Sequence, residues 1–171
     1  ASPFHHAKVA DRITVARTAA ARLGTPFLLA NQVGGNDDLV FDGSSIAAWP
    51  DGTVVLAPSW AEGVLTVDLN DPSSSTWTPS NAADALCIGA HERLLLHPDQ
   101  AAPTVTGAEG LVDAVVTGLA DYCRKSGLHR IVLGLSGGID SAVAACVAVE
   151  ALGPEAVHGL ALPSRHSSQH S

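Results

Sequence analysis

Apolar residues at Val9, Ile13, Ala16 and Ala20 recur at helical spacing through VADRITVARTAAARL. Val9 to Leu23 is therefore predicted to be an amphipathic helix, with Gly24 as its stop. Thr25 to Ala30 (TPFLLA) is a short continuous apolar run and is expected to be a buried strand, whereas Asn31 to Asp38 (NQVGGNDD) is polar and reads as a loop. Ser44 to Trp49 and Thr53 to Ala57 flank Pro50-Asp51-Gly52, a strong hairpin signal, and Val64 to Leu69 alternates enough for another strand. Asp71 to Ser80 (DPSSSTWTPS) reads as a surface loop leaving this unit. Helix, strand, hairpin and strand in that order suit a layered α/β domain better than a helical bundle.

Further on, Ala82 to Leu96 is predicted to be helical, and His97 to Thr106 is a connection. Ala108 to Lys125 places Leu111, Val115, Leu119 and Tyr122 on one face and stops at Gly127, which makes a second amphipathic helix. Arg130 to Leu135 is β-branched enough for a buried parallel strand, and Ser141 onward (SAVAACVAVEAL) has the composition of a helix ending at Gly153-Pro154. Ala156 to Leu162 is then a second parallel strand. Helix, strand, helix, strand is the start of a doubly wound sheet, but two parallel strands leave faces and edges uncovered. The second unit is expected to be incomplete, and the chain, which has no methionine, to be a fragment.

The turn joining that strand to its helix, Ser136 to Ser141 (SGGIDS), carries the candidate chemistry. Gly137 and Gly138 lack a Cβ, so their N–H groups can press against a ligand. Together with the unpaired donors and positive dipole end of the helix they make an anion site, with Ser136 and Ser141 adding hydroxyls. Asp140 would repel phosphates unless a divalent cation lay between, so Mg²⁺ bridging to a polyphosphate is expected. The spacing is neither GxxxxGK[ST] nor GxGxxG. In this strand and helix context SGGIDS resembles the pyrophosphate loop of the ATP pyrophosphatase superfamily. Glycines alone would mark only a tight turn.

Composition narrows the partners. The 171 residues suffice for one domain or two small ones, and 46% hydrophobic content excludes a wholly disordered chain. A net charge of −8 without a basic run argues against nucleic acid or an anionic membrane as the principal partner. No signal peptide or membrane span is visible. Three scattered cysteines, Cys87, Cys123 and Cys146, form no CxxC pair and suit a reducing cytoplasm.

The segments ASPFHHAK, NQVGGNDDLVFDGSS, LGLSGGIDSAVAACVAVEALG and ALPSRHSS together resemble glutamine-dependent NAD⁺ synthetase, over nearly the whole chain. The resemblance implies the C-terminal part of a nitrilase-like α-β-β-α glutaminase domain with its exit segment over residues 1–97. An incomplete synthetase domain, doubly wound and like the adenine nucleotide alpha hydrolases, would follow over 98–171. It implies an ATP-dependent ligase that activates the carboxylate of nicotinic acid adenine dinucleotide as an acyl-adenylate, releasing pyrophosphate. Glutamine-derived ammonia then displaces AMP. Carried over by position, ATP binding falls on Gly134, Leu135, Ser136, Gly137, Gly138, Ile139, Asp140, Ser141, Leu162 and Arg165, Mg²⁺ on Asp140, and glutamine on Ser2 and Lys8. His166 stands where the family pattern usually has an aromatic residue. The family's glutaminase cysteine, glutamate and lysine lie upstream of ASPFHH, so no glutaminase nucleophile is expected here. A homo-oligomer is expected of the full-length enzyme.

Other residues read more plainly. The three cysteines are expected to be small buried apolar residues, His166 and His170 solvated loop histidines, and His5 and His6 surface or packing groups. Asp37, Asp38 and Asp42 read as turn and capping chemistry, because the spacing is not that of an EF-hand. Trp49, Trp60 and Trp77 suit packing or an interface. Two other readings stand beside the synthetase: a different amidotransferase of the ATP pyrophosphatase type, and a non-catalytic nucleotide-binding remnant.

Overall fold

The computed structural model describes residues 1–80, 93–101 and 108–161. Helix α1 (Lys8–Leu23) buries Val9, Ile13, Ala16 and Ala20, and Gly24 closes it in the left-handed region, at φ 64°, with its N–H on the Ala20 carbonyl. That apolar stripe lies on a four-stranded antiparallel sheet of spatial order β1-β4-β5-β8, formed by Phe27–Leu29, Ile46–Ala48, Val54–Leu56 and Leu94–Leu96. Ile46, Ala48, Val54, Leu56 and Leu96 meet the helix, while Ala47, Trp49 and Val55 face the other way, against Leu65, Val67 and Leu95. Strands β4 and β5 are therefore buried on both faces, which explains their unbroken apolar sequence. The Pro50-Asp51-Gly52 turn joins them as expected, with Ile46 opposite Leu56.

Arg17, on the opposite flank of α1, donates to the carbonyls of Gly52, His97 and Gln100 at 2.9, 3.0 and 3.2 Å, tying the helix to that turn and to the chain after β8. The sheet and its helix so form one core.

Three expectations are corrected here. The NQVGGNDD stretch is not a plain loop, because β2 (Val33–Asn36) pairs with β3 (Leu39–Asp42) as a hairpin turning at Asp37, whose φ is 52°. Its glycines hid the strand because they carry no alternating side chains. The expected exit loop contains β7 (Thr76–Pro79), paired with β6 (Gly63–Thr66). Leu94 to Leu96, expected to close a helix, instead form β8, since an edge beside β5 satisfies their backbone and buries Leu96. The rest of that expected helix, residues 82–92, Cys87 included, lies outside the described residues.

Helix α2 (Ala108–Lys125) has the expected ends, but three of the four residues of its expected inner face point outward: Leu111 and Val115 are each 55% exposed and Tyr122 is 63% exposed, while Leu119 is half-buried. The residues it packs away are Val116 and Cys123, each 2% exposed, and a stripe of small residues. Gly110 and Ala114 are buried, Gly118 is half-buried against the β2–β3 hairpin, and a Cβ on Gly35 would stand 3.3 Å from the Gly118 Cα. At the hairpin, backbone proximity rather than side-chain volume sets the contact. After α2 the chain enters β9 (Ile131–Leu135), helix α3 (Ile139–Leu152) and β10 (Val157–Ala161), which runs parallel to β9 with Leu160 opposite Gly134. Cys123 is buried as expected, whereas Cys146 on α3 is exposed. No helix among the described residues is long and apolar enough to cross a membrane.

Apolar side chains around β9, α3 and β10 stand open, with Val132 62% and Ile139 76% exposed. The 171-residue chain on its own is accordingly expected to self-associate and to bind a hydrophobic dye. A monodisperse monomer by light scattering, with one cooperative thermal transition, would contradict this.

Candidate functional site

The SGGIDS turn leaves the carboxyl end of β9 beside the carboxyl end of β10, the edge at which open parallel sheets take ligands. Gly137 adopts φ 77°, open to glycine at little cost, and Gly138 is extended at the start of α3. Two serines brace the turn. The Ser141 hydroxyl donates to the Gly138 carbonyl at 2.9 Å and accepts from the Ser136 N–H at 3.3 Å. The Ser136 hydroxyl accepts from the Gly138 N–H at 3.3 Å. With its single hydrogen on Gly138, Ser141 must accept in the 3.2 Å contact between the hydroxyls, so Ser136 donates there.

The first helical bond drawn from this turn is Ala142 N–H to the Gly138 carbonyl, at 3.3 Å. The N–H groups of Ile139 and Asp140 belong to the first turn, where no preceding carbonyl lies within the helix to accept them. Gly134, Leu135, Ser136, Gly137, Gly138, Ile139 and Asp140 are all exposed, and Ser141 is half-buried. Eight of the residues expected to bind ATP thus occur together as one contiguous, largely exposed segment whose turn is braced by the two serines. Leu162 and Arg165 lie outside the described residues, as do His166 and His170.

No group of three or more His, Cys, Asp or Glu side chains suited to a metal occurs among the described residues. Asp140 is the one carboxylate in the first turn of α3. Such a donor fits Mg²⁺ only in the manner typical of phosphate substrates, in which one or two carboxylates and the phosphates share the ion.

The other expected pair separates into a held residue and a helix start. Ser2 is fixed by Asn31, whose side-chain carbonyl accepts from the Ser2 N–H at 2.7 Å and whose amide donates to the Ser2 carbonyl at 3.0 Å. Lys8 opens α1, and its N–H bonds the His5 carbonyl at 2.9 Å. The sequence reading missed what holds Asn31. Its amide also donates to the Gly43 carbonyl at 2.9 Å, and that carbonyl accepts from Arg12 Nη1 at 2.8 Å.

Arg12 Nη2 meets both Asp42 oxygens at 2.6 and 2.5 Å, with the two side chains 4% and 2% exposed. Asp42, expected to cap a turn, is half of a buried ion pair, because the FDGSS turn folds under α1 instead of into solvent. The signal available was an arginine three residues after Val9 on the apolar stripe, where a charge requires a partner.

Chains of known function match this arrangement in both halves. Residues 2–78 match the carbon-nitrogen hydrolase family, and residues 111–171 match NAD synthase. The glutamine-dependent NAD(+) synthetase of Rhodobacter capsulatus is 43% identical over 99% of the chain. That of Synechocystis is 37% identical over all of it. The chain is thus similar, along its whole length, to glutamine-dependent NAD⁺ synthetases. It spans 28% and 27% of the length of those two synthetases. The structure of the glutamine-dependent NAD⁺ synthetase from Acinetobacter baumannii in complex with ADP superposes with a TM-score of 0.71. The two are 29% identical over 99% of this chain and 28% of that one. A nitrilase-like region followed by a synthetase region is thus the fold of the chain, as the motifs implied.

Truncating Arg12 would leave a buried, unpaired carboxylate. Arg12→Met is expected to cost about 3–5 kcal/mol, read as a lower denaturation midpoint of the native gene product. An unchanged midpoint would show that water reaches Asp42.

Proposed function

We propose that the chain is the junction of a glutamine-dependent NAD⁺ synthetase, with residues 1–97 from the ammonia-supplying half and 98–171 from the ATP-using half. The observation that carries this reading is the braced SGGIDS turn at a parallel-strand end, in a chain similar to such synthetases along its whole length. ATP is the nucleotide it would hold. In support, the Acinetobacter baumannii relative was solved with ADP.

The Gly134–Ser141 turn would receive the β- and γ-phosphates, its serine-braced backbone presenting N–H groups where negative charge accumulates as pyrophosphate leaves. Asp140 would hold Mg²⁺ against the phosphates, and that ion would offset their charge. Leu162 and Arg165 would complete the nucleotide site. Ser2 and Lys8 would contact glutamine, Ser2 in the position that Asn31 fixes. The acceptor would be nicotinic acid adenine dinucleotide, and the products NAD⁺, AMP and pyrophosphate. The 171-residue chain alone would release no ammonia, since the family's nucleophile precedes ASPFHH. Free thiols at Cys123 and Cys146 suit a cytoplasmic enzyme, and the open apolar faces suit a homo-oligomer in which further chain covers them.

Glutamine- and ATP-dependent NAD⁺ formation by the native gene product tests the assignment. Asp140→Ala is expected to lower the rate about 10- to 100-fold, the worth of one charge-assisted contact of roughly 1.5–3 kcal/mol. AMP formation with a different acceptor acid, and none with the dinucleotide, would favour another amidotransferase. Gly138→Ala separates binding from folding. Its φ of −87° suits alanine, and the added Cβ would sit 3.4 Å from the Ser136 Oγ, an ordinary contact. An unchanged melting temperature with weakened ATP binding is expected, whereas unchanged ATP binding would remove the turn from the site.

A further inference from the structure

The carbon-nitrogen hydrolase region and the NAD synthase region touch where α2 crosses the β2–β3 hairpin. The crossing is close. A Cβ on Gly35 would meet the Gly118 backbone at 3.3 Å, and a Cβ on Gly118 would meet the Val40 side chain at 3.2 Å. At its end sits Asp121, whose carboxylate accepts from the Gly35 N–H at 2.9 Å and pairs with Arg124 at 2.6 Å and Lys125 at 3.1 Å. Lys125 in turn donates to the Gly35 carbonyl. Both polar groups of one hairpin peptide position are thereby taken by one turn of α2. Both Gly34 and Gly35 are needed, since a side chain on Gly34 would collide with the carboxylate.

The two ends of this contact lead to the two candidate sites. From Gly35 the hairpin runs through β3 to Asp42 and Gly43, which hold Asn31 and, through it, Ser2. From Asp121 the helix runs to Lys125, and the chain passes Gly127 into β9, whose last residue precedes the SGGIDS turn. We infer that Asp121 is a positioning residue that sets the nucleotide-binding unit in register with the glutamine-binding unit, through its bond to Gly35. It touches neither substrate. Its removal should spare each half-reaction and impair the delivery of ammonia from one to the other. This rests on the NAD⁺-forming reading proposed above.

Asp121→Ala and Asp121→Asn in the native gene product are to be compared with wild type for glutamate release from glutamine, for NAD⁺ formation with ammonium, and for NAD⁺ formation with glutamine. In the alanine variant the ammonium-supported rate should stay within about twofold and the glutamine-supported rate should fall about five- to tenfold. More glutamate would then be released per NAD⁺ formed. The asparagine variant keeps an acceptor for the Gly35 N–H and should lie between alanine and wild type. Equal loss of ammonium- and glutamine-supported synthesis in both variants would make Asp121 a stability residue only and overturn the inference. An unchanged ratio of glutamate to NAD⁺ would also overturn it. A wild-type protein that makes no NAD⁺ from ammonium or glutamine would instead remove the functional reading, and the role of Asp121 with it.

The same contact has a pH dependence. Partial burial pushes the Asp121 carboxyl up, but hydrogen bonds from Arg124, Lys125 and the Gly35 N–H outweigh it and hold the group below the usual carboxylate range. A carboxyl lowered by folding adds stability above its unfolded value, about 3.9, and loses it as pH falls through the lowered value. Hydrogen exchange of the Gly35 N–H should therefore rise relative to neighbouring amides below about pH 4. Uniform exchange across the hairpin at that pH would contradict this.

Discussion

The Arg12–Asp42 pair is the constraint on which the first unit depends. Two charges taken out of water cost several kcal/mol each, so the pair contributes little net stability compared with apolar residues of the same volume. What it fixes is arrangement. A guanidinium has donors in one plane, and here they reach both Asp42 oxygens and the Gly43 carbonyl at once, which places the FDGSS turn under α1 in one orientation. The turn accepts the backbone strain that follows: Ser44 sits at φ 51°, and Gly43 has no room for a Cβ beside Val33. Asn31 then reads this geometry through the Gly43 carbonyl and passes it to Ser2. A charge pair on an inner helix face thus determines, through three hydrogen bonds, where the Ser2 segment lies.

The second unit rests on the opposite principle. Its helix α2 meets the hairpin through Gly118 and the polar groups of Asp121 and Lys125, which offer little area to bury and so little hydrophobic stabilisation. Such a surface permits close approach and leaves the larger side chains, Leu111, Val115 and Tyr122, directed elsewhere. Helix α3 is apolar on every side but buries only Ala148 and Ala151 among its described residues. A helix with that composition is suited to burial all round.

Legibility in the sequence followed how each element is stabilised. Helix α1, the β4–β5 hairpin and the β9–turn–α3–β10 succession were visible because local signals and tertiary burial agree there: an apolar stripe, a Pro-Asp-Gly turn, a β-branched run before glycines. Strand β2 was not visible, since VGGN has neither β-branched pairs nor alternation and is a strand only because β3 and α2 hold it. Strand β8 was read as helix because three leucines carry no period, and only pairing with β5 decides between the two. The α2 face was misread for a related reason. Periodicity finds large apolar residues, whereas the closest approach to the hairpin is made at Gly118, which has no side chain to register. Within the candidate site, the glycines and serines were legible as types, but the bonds that brace them were not.

Those bonds bear on how the turn would work. Ser136 and Ser141 satisfy one another and the Gly138 peptide, so the loop needs no ligand to acquire its shape. A loop ordered only on binding would spend part of its interaction energy on its own conformational entropy, of the order of 1–2 kcal/mol per residue. A six-residue turn already braced through Ser136, Gly138 and Ser141 would avoid much of that cost, leaving the N–H groups of the helix start available to the phosphates of the proposed ligand. The hydroxyls that a first reading assigns to the ligand are occupied by the loop itself. In the proposed nucleotide site Ser136 and Ser141 would act first as the frame that aims the backbone, and the backbone would meet the charge.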